Sequence, residues 1–321
     1  MDRTRPIATT SVARPATRRR EVEAEGLTWL DLPQPVSSDI AYLRERLRLD
    51  PLALDDVLST IQRPKLDVHD SQSYLFLIAH VPVFNRDNRV IINQVGIFAG
   101  SDFVVTIHDG NLKPLRRLFA AAASDEVMRK QLLARGPGHL LYRVLDTLIK
   151  QSFPVVYKVG EDLAQLEAEL FAQPAHTLVQ AQALLERDSI ALRYIVEPNL
   201  TVCDQLRTLQ LPFLRIDTAR FFGDTADGAH KLYDLIAEQR EAIASTAGTL
   251  ATLSVQQPSA SQRIMVIVLL VLAPLVLLAA LAALALVAPP REQPLVFGAA
   301  LLATAAVIGG LLAAGRARRW F

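Results

Sequence analysis

Three residues in the first quarter of the chain carry side chains that could bind a metal ion: Asp67, His69 and Asp70. Carboxylates and imidazoles are common protein ligands of divalent metals. Their spacing suits a strand or turn, however, and no second histidine or cysteine lies close by in the sequence. The other histidines are scattered and form no i, i+4 pair. The pattern therefore favours an exposed polar edge over a metal site.

Motifs for covalent or nucleotide chemistry are missing from the sequence. Gly136-Pro137-Gly138 precedes a helical pattern but lacks the lysine and hydroxyl of a phosphate-binding loop. Neither a nucleophile elbow nor a zinc-protease histidine pair occurs. Cys203 is the single cysteine, which excludes a disulfide framework and fits a small buried residue in a reducing compartment. We therefore expect no catalytic residues and a protein that is not an enzyme.

Two long apolar stretches, at 264–288 and 295–315, dominate the end of the chain. A helix needs about 20 apolar residues to cross a bilayer, so both qualify as membrane spans. Residues 259–321 are thus predicted to form a transmembrane hairpin with the lipid bilayer as its partner. Arg263 precedes the first stretch and a basic end follows the second, which places both chain termini in the cytoplasm.

The overall charge is nearly balanced, with a formal net charge of +1, and no nucleic-acid partner is indicated. Residues 1–25 contain six arginines among Pro, Thr, Ser and Ala, with few large apolar side chains. Such a composition predicts a disordered basic tail. An Arg-rich, acid-poor start is also typical of organellar transit peptides. A bacterial inner membrane is the expected location, and a mitochondrial inner membrane is the alternative.

Residues 26–137 mix strand and helix patterns. A short strand is predicted at 27–32, helices at 37–49 and 51–61, and strands at 73–84, 90–98 and 102–108. A further helix is predicted at 113–135. Helices and strands mixed in this way indicate a layered α/β domain.

From residue 138 to residue 258 the pattern is helical. Leu140, Leu141 and Val144 begin an apolar stripe that continues to Leu170, and Pro174 ends it. A returning helix is predicted at 177–195. The periodic sequence at 216–253 then leads toward the first apolar stretch, with Pro258 predicted to kink or break the helix.

Several segments, taken in order, resemble the CorA family of magnesium and divalent cation transporters. They are Pro51-Leu-Ala-Leu-Asp-Asp-Val-Leu58, Gln62-Arg-Pro-Lys-Leu66, Tyr74-Leu-Phe-Leu77, Phe103-Val-Val-Thr-Ile-His108, Leu140-Leu-Tyr-Arg-Val-Leu-Asp146 and Arg318-Arg-Trp320. The resemblance implies a homopentamer in which an α/β/α cytoplasmic funnel leads through long stalk helices to the two transmembrane helices. It also implies magnesium or another divalent cation as substrate and possible regulator, with no tightly bound cofactor.

The resemblance places Pro274 at the family's proline in the first span. Counting from it gives the implied pore-lining positions Ser259, Gln262, Met265, Leu269, Ala273, Val276 and Ala280. The family's Gly-Met-Asn signature falls on Ala283, Leu284 and Ala285. Alanine and leucine offer no side-chain oxygen to a hydrated ion, whereas magnesium prefers oxygen ligands. A non-conducting CorA-like protein with a sensing or docking role is therefore the alternative function.

The resemblance further implies a regulatory metal site in the part that precedes the membrane hairpin. Asp224 matches an acidic residue that binds magnesium between subunits, and Asp227 follows one helical turn later. Asp87, in the turn Asn85-Arg-Asp-Asn88, is the candidate for the opposing carboxylate. The local sequence alone, without the resemblance, indicates that these three residues are solvated acids on the protein surface.

Overall fold

The structure is a computed structural model that describes residues 19–59 and 62–256, with short runs and single positions between 265 and 306. The chain divides into two compact units, residues 1–250 and 251–321. The strands are β1 (Arg20–Ala24), β2 (Leu27–Pro33), β3 (Lys65–His69), β4 (Tyr74–Phe84), β5 (Val90–Gly100) and β6 (Phe103–His108). The helices are α1 (Ser37–Arg46), α2 (Pro51–Leu58), α3 (Lys113–Ser124), α4 (Glu126–Leu133), α5 (Pro137–Glu169), α6 (Ala175–Thr208) and α7 (Thr218–Gln256).

The six strands form one mixed sheet in the order β1-β2-β6-β5-β4-β3. Strands β2 and β6 run parallel, with Leu30 opposite Val105, and all the other neighbouring pairs run antiparallel. Short turns join β4, β5 and β6 into a meander. Strand β2 lies beside β6 in the sheet although the two strands are far apart in the sequence.

Alternation along the strands sends side chains into two separate cores. In β4, Leu75 and Leu77 face one core while Phe76 and Ile78 face the other. This follows from the period of two in a β-strand. Because both faces are apolar, the sheet must be covered on both sides.

Helices cover the two faces. Helices α1 and α2 supply Leu43 and Leu54 to one core. The other core receives Leu115 from α3 and Leu141 from α5, together with side chains from α4, α6 and α7. Gly96 in β5 allows α2 to approach the sheet closely, since a β-carbon there would lie 2.5 Å from Val57 Cγ2. The expected α/β fold class with long helices is confirmed.

Asn199 on α6 binds the backbone of β4 beyond the end of β3. Its Oδ1 accepts a hydrogen bond from the His80 N–H at 3.0 Å, and its Nδ2 donates to the His80 carbonyl at 2.7 Å. Strand β3 pairs with β4 only as far as Ile78. The amide side chain therefore takes the place of the missing strand neighbour at His80.

Two expectations about the elements need correction. Residues 20–24 are not part of a disordered tail but form β1, in which Val22 is buried opposite Trp29; residues 1–18 lie outside the described part of the chain. The helix expected at 113–135 is two helices. It breaks at Asp125, whose Oδ1 accepts hydrogen bonds from the N–H groups of Val127 and Met128 and so begins α4.

The long helices also extend further than expected. Helix α6 was expected to end at residue 195, but it continues through Pro198 to Thr208. Helix α7 begins at Thr218, two residues into the periodic segment expected at 216–253, and ends at Gln256, while Pro258 lies outside the described residues. Most of the stretches 264–288 and 295–315 lie outside them as well. Among the residues that the structure describes, no helix combines the length and the apolar character needed to cross a membrane.

Candidate cation-binding and pore residues

Asp224 is held by a hydrogen bond between two long helices. The Tyr142 hydroxyl on α5 donates to Asp224 Oδ2 on α7 at 3.1 Å. Burial raises the pKa of the Tyr142 phenol, and the charges of Asp146 and Asp224 raise it further, so the hydroxyl keeps its proton at neutral pH. Tyr142 also packs edge-on against Phe221, with ring centroids 5.3 Å apart. Asp227 lies one turn further along α7, and both acids are exposed.

Asp87 lies in the tight turn between β4 and β5. Asn85 Oδ1 accepts hydrogen bonds from the N–H groups of Asp87 and Arg89, both at 2.9 Å. The Arg89 guanidinium donates to the buried carboxylate of Asp188 on α6 at 3.1 Å. The turn is thus fixed against α6, and Asp87 itself is exposed.

The structure does not gather these acids into one metal site. Within the described ranges, no three His, Cys, Asp or Glu side chains lie close enough together to hold an ion. Asp87, Asp224 and Asp227 therefore do not form a three-ligand group within a single chain. The group at Asp67, His69 and Asp70 has other contacts: Asp67 pairs with Lys65 at 2.8 Å, and the His69 ring stacks on Tyr74 with centroids 4.6 Å apart.

A carboxylate–histidine pair joins α6 to α7 and was not predicted. His230 Nε2 lies 3.1 and 3.3 Å from the two oxygens of Asp204, and Arg207 approaches the same carboxylate at 3.4 Å. Asp204 and His230 are 26 residues apart on different helices. No local spacing in the sequence could have indicated this pair.

A second pair of this kind is buried beside the parallel strands. Asp31 on β2 accepts hydrogen bonds from Thr106 Oγ1 at 2.7 Å and from His108 Nε2 at 3.1 Å, and it forms an ion pair with Arg20. His108 Nδ1 accepts from the Gly110 N–H at 3.0 Å, which leaves Nε2 as the donor to Asp31. Burial alone would raise the pKa of Asp31, but the bonds from His108, Thr106 and Arg20 outweigh it and lower that pKa. These contacts tie β1 to the sheet.

The described part of the C-terminal unit contains five of the expected pore and signature positions. Met265, Leu269 and Val276 are helical and expose 66%, 58% and 65% of their surface. Ala280 and Ala283 are helical and exposed too. None of these five side chains carries an oxygen ligand. Ser259, Gln262, Ala273, Leu284 and Ala285 lie outside the described residues.

A solved structure of a magnesium transporter shares this fold. The complete structure of the CorA magnesium transporter from Methanocaldococcus jannaschii aligns over 92% of this chain and 93% of its own, with a TM-score of 0.73 and 20% identity. At that identity the likeness concerns the fold.

Sequence relatives point the same way. YfjQ of Bacillus subtilis (strain 168), named as a candidate metal ion transporter, is 29% identical over 236 residues, which cover 72% of this chain and 70% of YfjQ. The cobalt/magnesium transport protein CorA of Thermotoga maritima is 23% identical over 221 residues, covering 67% of this chain and 61% of that protein. The family model described as CorA-like Mg²⁺ transporter protein matches residues 24–313. Because this match covers most of the length of the chain, the chain belongs to the CorA-like Mg²⁺ transporter family.

Proposed function

We propose that the protein is a CorA-type transporter that moves magnesium or a related divalent cation passively down its electrochemical gradient. The observation that carries this proposal is the extent of the family match. It runs from residue 24 to residue 313 and so includes both the α/β unit and the C-terminal apolar stretches. Passive ion flux needs no catalytic residue, in keeping with a sequence that lacks catalytic motifs.

The pathway in this proposal is a homopentameric pore through a bacterial inner membrane, with both termini in the cytoplasm. The funnel domain and the stalk helices lead to the first span, and the second span packs outside it. Exposed apolar side chains at Met265, Leu269 and Val276 support a segment that meets lipid or lines an apolar passage. Polar pore positions, Ser259 and Gln262, fall only at the cytoplasmic end.

Magnesium also serves as a regulator in this proposal, at a site shared between subunits. Asp224 and Asp227 would supply carboxylates from one subunit and Asp87 from its neighbour. The exposure of all three supports a shared site, because exposed carboxylates remain accessible to a second chain. Magnesium retains several water ligands and commonly needs only one or two protein carboxylates.

The alternative is a non-conducting CorA-like membrane protein whose α/β unit senses ions or docks partners. One observation favours it: Ala283, Leu284 and Ala285 stand where the family carries Gly-Met-Asn. Apolar constrictions gate by dewetting, and this sequence supplies no oxygen at the outer mouth to hold a hydrated cation.

Complementation separates the two functions. The protein would be expressed in cells that lack their own magnesium transporters, with growth scored at limiting magnesium and membrane insertion verified on the same cells. Transport predicts restored growth. A correctly inserted protein that fails to restore growth contradicts transport. If growth returns only with the triple variant Ala283→Gly, Leu284→Met and Ala285→Asn, the native mouth is non-conducting and the alternative holds.

The assembly is tested separately by the mass of the purified protein in detergent. Multi-angle light scattering with correction for bound detergent should give five copies of the 35.3 kDa chain. Any other copy number contradicts the pentameric pore.

A further inference from the structure

An open cleft lies where α6 passes into α7. Its volume is about 600 Å³, and it is formed by the end of α6, the connecting segment and the first residues of α7. This volume is within the usual range of small-molecule sites, about 300–1,000 Å³. The cleft is far too large for a single ion.

The cleft carries two guanidinium groups. Arg207 comes from the last turn of α6, and Arg215 comes from the connecting segment. Arg207 contacts Asp204 at 3.4 Å in a partly exposed pair, which is a weak attachment in water. Arg215 is more firmly placed, because its Nη2 donates to the Ser101 carbonyl at 2.8 Å. Each guanidinium has five N–H donors, so both retain donors for a ligand.

The cleft also contains one carboxylate, at the start of α7. Asp217 Oδ1 accepts a hydrogen bond from the Arg220 N–H at 3.1 Å and so caps the start of α7. The remaining lining combines the polar Gln210 with apolar surface from Leu211, Pro212 and Ile216. A ligand that suits this lining has an anionic group for the arginines and a larger, less polar body for the apolar wall.

We propose that this cleft binds a small phosphate-bearing metabolite of nucleotide size, with its phosphate groups on Arg207 and Arg215. Guanidinium groups match phosphate oxygens in both geometry and charge. The Asp217 carboxylate already lies at the positive end of the α7 dipole, so the two arginines supply the attraction. The body of the ligand rests on Leu211, Pro212 and Ile216. This binding does not depend on ion transport, so its success or failure leaves the proposed transport function untouched.

The test is calorimetric titration of the purified full-length protein with ATP, ADP, inorganic phosphate and adenosine, in buffer of low ionic strength. We expect ATP and ADP to bind, adenosine to give no signal, and inorganic phosphate to bind more weakly than the nucleotides. Absence of binding by every anion overturns the proposal. Inorganic phosphate binding as tightly as ATP overturns the assignment of a nucleotide-sized ligand.

Substitution at Gln210 tests the site without removing any contact of the arginines. Gln210→Glu places a negative charge in the cleft and should weaken ATP binding about tenfold, whereas Gln210→Lys should strengthen it severalfold. Arg207→Gln should also weaken binding about tenfold. Arg220→Gln removes an exposed arginine that does not line the cleft and serves as the matched control, with an affinity within about twofold of the native protein. Equal affinities for Gln210→Glu and the native protein would overturn the site.

Discussion

The hydroxyl of Tyr142 donates a hydrogen bond to the carboxylate of Asp224, with 3.1 Å between the oxygens. The bond joins α5 to α7 at the position proposed for a regulatory cation. It occupies one acceptor site of the carboxylate and fixes its orientation, while leaving other oxygen lone pairs free. Asp224 is therefore positioned before any ion arrives.

Tyr142→Phe removes this donor and should lower the stability by about 1 kcal/mol at pH 8. The folded-state pKa of Tyr142 is raised, first by burial and then by Asp146 and Asp224. The contribution of the Tyr142 phenol to stability is therefore complete below the ordinary tyrosine pKa of 10.0. It is lost as the pH rises through the higher pKa that Tyr142 has in the folded protein. The temperature of thermal unfolding should therefore fall less steeply between pH 8 and pH 11 in the variant than in the native protein. Tyr157→Phe, at a half-exposed tyrosine on the same helix, should leave the slope unchanged; equal slopes for both variants would contradict this role.

Asp224→Asn tests the proposed regulatory site. If magnesium binds there, millimolar magnesium should slow proteolysis of the native protein. The variant should need about tenfold more magnesium for the same protection, since it loses a carboxylate ligand. Glu241→Gln changes another exposed acid on α7 and is the control. If the same magnesium concentration protects Asp224→Asn and the native protein from proteolysis, Asp224 is not a ligand of the regulatory ion.

Arg20→Met should destabilise the α/β unit. The substitution leaves the Asp31 carboxylate buried without its cationic partner. The expected loss of stability is about 3 kcal/mol. This is the lower end for a broken buried ion pair, because the Arg20 guanidinium is partly exposed. The lowered pKa of Asp31 provides stability above pH 3.8 that is lost as the pH falls through the folded value. Acid unfolding of the variant should therefore begin at a higher pH. Tryptophan fluorescence during urea unfolding measures the loss of stability, and the same signal during acidification measures the pH at which unfolding begins.

The matched control for that experiment is Arg86→Met, which changes an exposed arginine in the turn before β5. Its stability should stay within about 0.5 kcal/mol of the native protein. Similar losses in the two variants would show that the ion pair with Asp31 does not stabilise the sheet.

Asn199→Ala should loosen the attachment of α6 to β4. The His80 N–H and carbonyl both lose their partner, and an unsatisfied buried backbone group costs about 1–3 kcal/mol. Hydrogen exchange at the His80 amide should accelerate markedly. Gln205→Ala, at an exposed position on the same helix, should leave that exchange rate unchanged. A His80 amide that stays protected in Asn199→Ala would contradict the bridging role.

Cys203 should be inert in the folded protein. Burial, reinforced by the charge of Asp204, raises the pKa of its thiol to about 12, so almost no thiolate exists at pH 8. Maleimide labelling at pH 8 should be at least about 100-fold slower in buffer than in urea. The sequence has one cysteine, so the modified mass reports this residue alone. Rapid labelling of the folded protein would contradict the buried position.

The sequence predicted those elements whose pattern is strong. Strands β4, β5 and β6 are rich in β-branched and aromatic residues, and the structure contains them within one or two residues of the expected bounds. Strand β1 was missed because it is a charged edge strand in which Val22 alone is buried. The end of α6 differs from the predicted one because contacts between distant residues, such as that of Asn199 with His80, hold the helix beyond Pro198 and leave no local pattern.

The candidate site was harder to predict, because its contacts join distant residues. Asp224 came from a family resemblance, whereas its partner Tyr142 lies 82 residues away. The Asp204–His230 pair joins two helices and has no signature in the order of residues. Local patterns indicate which face of an element is buried, but the rotation of one helix against another depends on packing across the whole unit.

The parallel pairing of β2 with β6 also affects the order in which the sheet can form. Asp31 and Thr106 are 75 residues apart, whereas β4, β5 and β6 follow one another through short turns. Closing a long loop costs more chain entropy than closing a short one, so the meander should form first on the folding pathway. The hairpin of β1 and β2 should add later, and only then does the Asp31 carboxylate lose its water. In this order of events, Thr106 and His108 would lie in β6 before β2 arrives, and the Asp31 carboxylate would exchange water for donors that are already ordered.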